Sequence, residues 1–418
     1  MFFKNHQSFL KDILFYTLSA FGGPQGHLGM IYKKFVQEKK YLSEEELIDL
    51  NTFCQLLPGP SSTQLLTLIA YKRGGILLSI ISLLIWIIPA SFLMGAFSFL
   101  IMTADYGTYF LHLFRFIQPM AIGFLLFAVF RTYQFAVTNT ITKVIMFSST
   151  LITFLLFKLP WIFPILLIIG GIITNFSDKR IKIIKRSEKK FTPKWILIFI
   201  FFSTFLSLGI LSETARKQNW ENRKLYNLSE NFFRFGTIVF GGGDVLLPLM
   251  LDQYVARPTN KNLQIRNPNI IKIPQDKLLT GFGIVRILPG PVFSISTYVG
   301  GLAVNDSGNK IHISGMFLCT LFIFLPGLLL VFFFFPVWEY LKNYVFFLRA
   351  MEGIQAVSTG LMAAGLFYIL RNYFSVERND FDFLITIMII PLTFLLMSKT
   401  KTPAPIIVLL MLLLGFLF

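Results

Sequence analysis

Apolar residues along this chain gather into long unbroken runs rather than alternating with polar ones. Runs long enough to cross about 30 Å of hydrocarbon lie at 76–101, 113–130, 195–211, 313–337 and 345–370. Tighter runs at 141–157, 160–176, 382–398 and 403–418 are close to the lower length limit. Continuous apolarity predicts helices, because a membrane-spanning strand would alternate lipid-facing with lumen-facing residues. Adjacent runs read as hairpins with little loop between them. Segment 44–70 differs: two short apolar stretches flank Pro58-Gly59-Pro60, and neither could span a bilayer alone. That favours a re-entrant pair, whereas the five Lys/Arg within 251–277 favour full crossing. The balance leans towards broken, partly re-entrant helices.

The two halves of the chain repeat each other. Phe21-Gly22-Gly23 recurs as Phe240-Gly241-Gly242, and Leu57-Pro58-Gly59-Pro60 as Leu288-Pro289-Gly290-Pro291. Pro89 recurs as Pro326, and Gln118 and Gly123 as Gln355 and Gly360. Four matches in the same order are hard to obtain by chance in an apolar background. Between the halves, 177–194 carries eight Lys/Arg against two acids, which reads as a cytoplasmic linker. Each half has about six hydrophobic segments, and the span 195–211 makes the count between repeat starts odd, so the second repeat enters the membrane inverted. The expected fold is an all-α polytopic membrane protein of two inverted-topology repeats with proline-broken helices and one linking span. Its expected parts are a first transmembrane repeat over 1–176, the linker 177–194, a linking helix over 195–212 and a second repeat over 213–418. Inverted repeats are a common transporter architecture, with substrate bound where the repeats meet.

Composition narrows the class further. Of 418 residues, 55% are hydrophobic and 14% charged, against roughly a quarter charged in soluble domains. Soluble globular, disordered and nucleic-acid-binding classes are excluded on that ground. The net charge of +17 reflects Lys and Arg collected in short loops, as the positive-inside rule expects. Two cysteines, Cys54 and Cys319, cannot make a disulfide framework or a zinc site. No GxxxxGK[ST] segment is present, so nucleotide-driven chemistry is not expected, nor is any metal or cofactor. The start, MFFKNHQSFLKD, lacks the apolar core and cleavage site of a signal peptide.

The prolines locate the candidate chemistry. Pro58-Gly59-Pro60 and Pro289-Gly290-Pro291 cannot continue a helix, and freed backbone at membrane depth is tolerated only inside protein or beside a watery cavity. The helix restarting after each break points unpaired amides and its positive dipole end at that place, which suits an anion. Ser61, Ser62, Thr63 and Gln64 follow the first break, and Ser294 and Ser296 the second. Such breaks can also be packing kinks, but a symmetric pair favours function. Gly22, Gly23 and Gly241, Gly242, Gly243 form a second symmetric set, open to close helix packing or substrate contact. Arg286 sits three residues before Pro289, where the first half has Gln55; a guanidinium there could grip a multi-oxygen dianion with two parallel hydrogen bonds. Asp244 and His27 are proton-coupling candidates, with helix capping and a structural hydrogen bond as their plainer readings. Arg73 is explained by topology alone as readily as by substrate.

At FGGPQGHLGM, TFCQLLPGPSSTQLLTLIAYKRGG, FGGGDVLLPLM and IVRILPGPVFSISTYVGG the chain resembles the chromate ion transporter family, over most of its length. The resemblance implies an inner-membrane exporter of chromate, with sulfate as a structural analogue. It would mark Gly22, Gly23, Pro24, His27, Gln55, Pro58, Gly59, Pro60, Gln64, Arg73 and Gly74, then Gly241, Gly242, Gly243, Pro248, Pro289, Gly290 and Pro291. The expectation is a secondary transporter of tetrahedral oxyanions working by alternating access, powered by membrane potential or a proton gradient. No enzymatic activity is expected, and the protein is expected to sit in the lipid bilayer as a monomer or homodimer. Two alternatives are an oxyanion channel and a membrane-embedded lipid-pyrophosphate hydrolase. The hydrolase would need a clustered acid/base set, and the four His and the intramembrane carboxylates are scattered.

Overall fold

The computed structural model describes residues 2–21, 23–103, 113–157, 159, 161–176, 194–267, 270–304, 309–341, 345–375, 380–400 and 402–417. Gly22 and positions 177–193 of the basic linker lie outside the described residues. Every regular element among the described residues is helical. In the first repeat these are α1 (Phe2–Ser19), α2 (Gly23–Ile31, continued by a π turn over Tyr32–Glu38) and α3 (Glu44–Leu56). Ser61–Thr103 follows, then α6 (Ile117–Ala136), α7 (Thr140–Leu155) and α8 (Ile162–Ile173). The linking helix is α9 (Trp195–Lys217). The second repeat holds α10 (Arg223–Ile238), α11 (Leu246–Leu251), α12 (Lys261–Arg266), α13 (Gln275–Ile284), α14 (Ile295–Ala303) and α15 (Asn309–Phe334). It ends with α16 (Trp338–Leu341), α17 (Val345–Phe374), α18 (Asp380–Leu395) and α19 (Ala404–Leu417).

Ser61–Thr103 is two helices, not one. Gly74 (φ −153°, ψ 21°) and Gly75 (φ 72°, ψ −164°) break it into α4 (61–73) and α5 (76–103). Ser79 Oγ donates to Thr67 O across 2.9 Å and Trp86 Nε1 to Thr63 Oγ1 across 3.0 Å. Residues ever further after the break thus meet residues ever further before it, so α4 and α5 run antiparallel. At 1.5 Å per residue α4 is about 20 Å long, too short to span, whereas α5 is about 42 Å and spans with room to tilt. On the other side, α3 and α4 form a V around Pro58-Gly59-Pro60. Glu46 near the start of α3 pairs with Lys72 near the end of α4, closing the open end while the tip residues Gly59 and Pro60 are buried. A reciprocal capping box between Ser43 and Glu46 starts α3. The short stretches around the first break therefore return to the side they left.

The chain divides into two compact units. One comprises Met1–Asp105, Lys194–Thr237 and Ile284–Phe335; the other comprises Tyr106–Pro193, Ile238–Gly283 and Pro336–Phe418. Each takes segments from both sequence repeats. In the first unit α1 buries Phe9, Ile13 and Tyr16 and exposes Leu14, Phe15 and Leu18, so both of its faces are apolar towards its C-terminal end. Helix α9 leaves most of its surface outward, Trp195, Phe199, Phe202, Leu206 and Ile210 among it, as a lipid-facing helix does. In the second unit the repeats exchange helices. Gly123 on α6 lies against α18, where a Cβ would come 2.6 Å from Thr393 Cβ. Its repeat-mate Gly360 on α17 lies against α7, where a Cβ would come 2.7 Å from Met146 O. Among the described residues, α5, α6, α9, α15, α17 and α18 supply six stretches long and apolar enough to cross a membrane.

Candidate functional site

Both proline-bounded turns belong to the first unit, and both use the same local geometry. Gly59 has φ +114° and Gly290 φ +126°, a region open to glycine and strained for other residues. The prolines on either side fix φ and cannot donate to a helix ladder, so the chain must turn here and restart. Pro60 O accepts from Gln64 N at 2.9 Å, and Pro291 O from Ser294 N at 3.0 Å. Each second proline thus begins the following helical turn. The amides of Ser61, Ser62 and Thr63, and of Val292 and Phe293, belong to first turns, where no intrahelical acceptor exists.

The turns pack reciprocally on the opposite repeat. A Cβ on Gly59 would lie 3.4 Å from Gly327 Cα, and one on Gly290 2.9 Å from Ala90 Cβ. Gly327 follows Pro326 and Ala90 follows Pro89, so each turn rests on the residue after the other repeat's in-helix proline. Both prolines sit inside their helices. The Gly290 amide also donates to Ala20 O at 3.0 Å, tying the second turn to the end of α1.

Polar side chains crowd the first turn. Gln64, 3% exposed, donates from Nε2 to Pro58 O at 2.8 Å and so clamps the loop. Its Oε1 is buried with no hydrogen-bond partner among the described residues. His27, 1% exposed, places Nδ1 3.1 Å from Ser62 Oγ, and its Nε2 is likewise buried without a partner. In the second turn Ser294 Oγ donates to Pro291 O at 2.8 Å, and buried Ser296 Oγ has no partner among the described residues. Buried polar atoms are normally paired by protein or water, so these three mark where water or a hydrated solute has something to bind. An amide oxygen offers lone pairs, so Gln64 would meet a water or a protonated group rather than a bare anion.

Other sequence candidates fall in different places. Gln55 is half-buried in the last turn of α3, and Arg286 half-buried in the turn leading to Pro289; both lie in the first unit. Arg73 is exposed, its guanidinium 4.2 Å from the Tyr41 ring centroid and 5.2 Å from that of Phe9. Gly23 opens α2. Gly241 (φ 86°), Gly242 (φ 113°) and Gly243 make a turn into a short 3₁₀ segment holding half-buried Asp244; all four belong to the second unit. There Pro248 packs on α17, where a Cβ on Gly365 would come 2.7 Å from Pro248 Cγ.

One residue that sequence reasoning passed over joins the turns. Trp86 is fully buried; its indole N–H serves Thr63 in the first turn of α4, and its carbonyl lies 3.6 Å from a Cβ built on Gly290. The Trp86 ring stacks on Tyr16 (5.2 Å between centroids) and meets His27 edge-on at 5.1 Å. The available signal was its position: membrane proteins place tryptophan at the interfaces, and Trp86 sits deep within an apolar run.

This arrangement is that of a polytopic helical membrane protein with paired broken helices. The chain belongs to the chromate transporter family, whose model matches residues 8–175 and 226–416, once for each repeat. It is 25% identical over 357 residues to an uncharacterised transporter of Methanocaldococcus jannaschii, covering 85% of this chain and 81% of that protein. It is 24% identical over 331 residues to a probable chromate transport protein of Synechococcus elongatus, covering 76% of each. With the chromate transport protein of Cupriavidus metallidurans it shares 19% identity over 372 residues, 87% of this chain and 83% of that protein. No solved structure matches the chain.

Proposed function

We propose that the protein moves tetrahedral oxyanions of the chromate and sulfate type out of the cell by alternating access, from the inner or plasma membrane, with the basic linker in the cytoplasm. The observation that carries this reading is the pair of buried, positive-φ Pro-Gly-Pro turns in one compact unit. Each opens a helix whose first-turn amides and hydroxyls can meet a small anion. Family membership and the names of the relatives support chromate as a substrate. Arg286 beside the second turn supplies full charge, and Ser61, Ser62, Gln64 and Ser294 supply short polar contacts or hold a hydration shell.

An inside-negative potential drives a dianion outward without nucleotide hydrolysis, at about 2.3 kcal/mol per charge per 100 mV and hence about 4.6 kcal/mol for two. His27 is the better placed of the two proton-coupling candidates, because its ring reaches Ser62 at the start of α4. Chromate and sulfate flux into inside-out vesicles, followed under an imposed potential, tests the reading. The expected result is saturable flux that rises with the potential and drops sharply for Arg286→Ala. Flux indifferent to both would overturn it, and non-saturating flux would point to a channel.

A further inference from the structure

One groove on the first unit belongs to neither turn. It holds about 460 Å³, opens outward between α1 and α5, and is lined by Lys4, Gln7, Leu10, Lys11, Leu14 and Ile85. Lys4, Gln7, Lys11 and Leu14 follow one another at steps of three and four, which puts them on a single stripe of α1. Along that stripe the chemistry changes from cationic to apolar. Below Lys11 come Leu14, 43% exposed, and on the α5 side the exposed Leu84 and Ile88 flank Ile85. The opposite face of α1 is packed through Phe9, Ile13 and Tyr16. The helix's one acid, Asp12, turns to Lys39, Lys34 and Tyr41, while neither Lys4 nor Lys11 forms an ion pair among the described residues.

We infer that this groove binds one anionic glycerophospholipid, its phosphate held by Lys4 and Lys11 and an acyl chain laid along Leu14 and Ile85. The charge step supports that occupant. Two unpaired ammonium groups favour a phosphate carrying net negative charge, and their long stems let the charges sit at headgroup level above apolar surface. A headgroup with its own cation would set that cation against both lysines. The lipid would also brace α1, whose C-terminal end carries the Ala20 carbonyl used by Gly290.

Native mass spectrometry of the full chain in mild detergent, titrated with phosphatidylglycerol, phosphatidylcholine or inorganic phosphate, tests this. Phosphatidylglycerol should give one adduct in preference to phosphatidylcholine. Lys4→Gln with Lys11→Gln should weaken it roughly thirty-fold, the product of two lysine contributions. Lys143→Gln with Lys261→Gln, removing equal charge from exposed sites of the other unit, should leave it intact. An adduct that survives the first double variant, falls equally in the second, or forms equally with phosphatidylcholine overturns the inference. So does displacement of phosphatidylglycerol by an equal concentration of inorganic phosphate.

Discussion

Trp86 shows how much of the site depends on side chains that carry no charge. Its N–H to Thr63 and its carbonyl beside Gly290 connect the first turn of α4 to the second proline-bounded turn. Trp86→Phe keeps most of the ring packing on Tyr16 but leaves the Thr63 hydroxyl without its donor. A buried group so deprived costs about 1–3 kcal/mol, so the variant should melt earlier and lose transport. Removing both partners can be close to neutral, so adding Thr63→Val should restore much of the melting temperature. Transport should not return with it, because the hydroxyl at the helix start is then gone. Recovery of both together would reduce Trp86 to a packing residue. Gly59 and Gly290 belong to the same scale: they hold the backbone conformation that lets the turns rest on Gly327 and Ala90.

Among elements, the repeats interlock through close approach of small residues. Gly360 faces Met146 O so tightly that an added methyl must displace α7. Alanine normally gains about 1 kcal/mol over glycine inside a helix, but overpacking costs about 1–3 kcal/mol. Gly360→Ala should therefore lower the melting temperature of the detergent-solubilised protein, and Gly123→Ala should do the same at the α6–α18 contact. Helix α1 is held differently. Burial alone would raise the Asp12 carboxyl, but the Tyr41 hydroxyl at 2.6 Å and the Lys39 and Lys34 ammonium groups overcome it and hold it below the ordinary range. A carboxylate depressed on folding stabilises above its unfolded value of about 4 and loses that contribution as pH falls through the lower folded value. Melting curves between pH 7 and pH 3 should show the wild type losing stability at the acid end, and Asp12→Asn losing less across the same interval. Much at this scale was legible in the sequence: the apolar runs gave the long helices, and Pro58-Gly59-Pro60 gave the break. The break inside 61–103 was legible too, since Lys72, Arg73, Gly74 and Gly75 part segment 44–70 from the run that begins at 76; the side-chain contacts through Thr63 and Thr67 that hold the two sides together were not. Nor was the division into units that draw on both repeats, since tertiary partnership leaves no period in the chain.

For the molecule as a whole, the two Pro-Gly-Pro turns agree in backbone, and the residues leading into them differ in charge. Gln55 and Arg286 stand three residues before equivalent prolines, in one compact unit, so one half of an approximate pair is neutral and the other cationic. A dianion bound between matching halves would need only one guanidinium, and either repeat could supply it. Losing a charged hydrogen bond costs about 1.5–3 kcal/mol, so Arg286→Gln should weaken sulfate or chromate binding about ten- to hundred-fold. Moving the charge, with Gln55→Arg and Arg286→Gln together, should restore most of that affinity if the site is as symmetric as its backbone. On the inverted topology expected from the sequence, it should also shift which side of the membrane sees the tighter site. Isothermal titration with the purified protein reads the first effect, and flux measured separately in right-side-out and inside-out vesicles reads the second. If the double exchange binds no better than Arg286→Gln alone, the second repeat's turn is the sole anion anchor and the symmetry is architectural only.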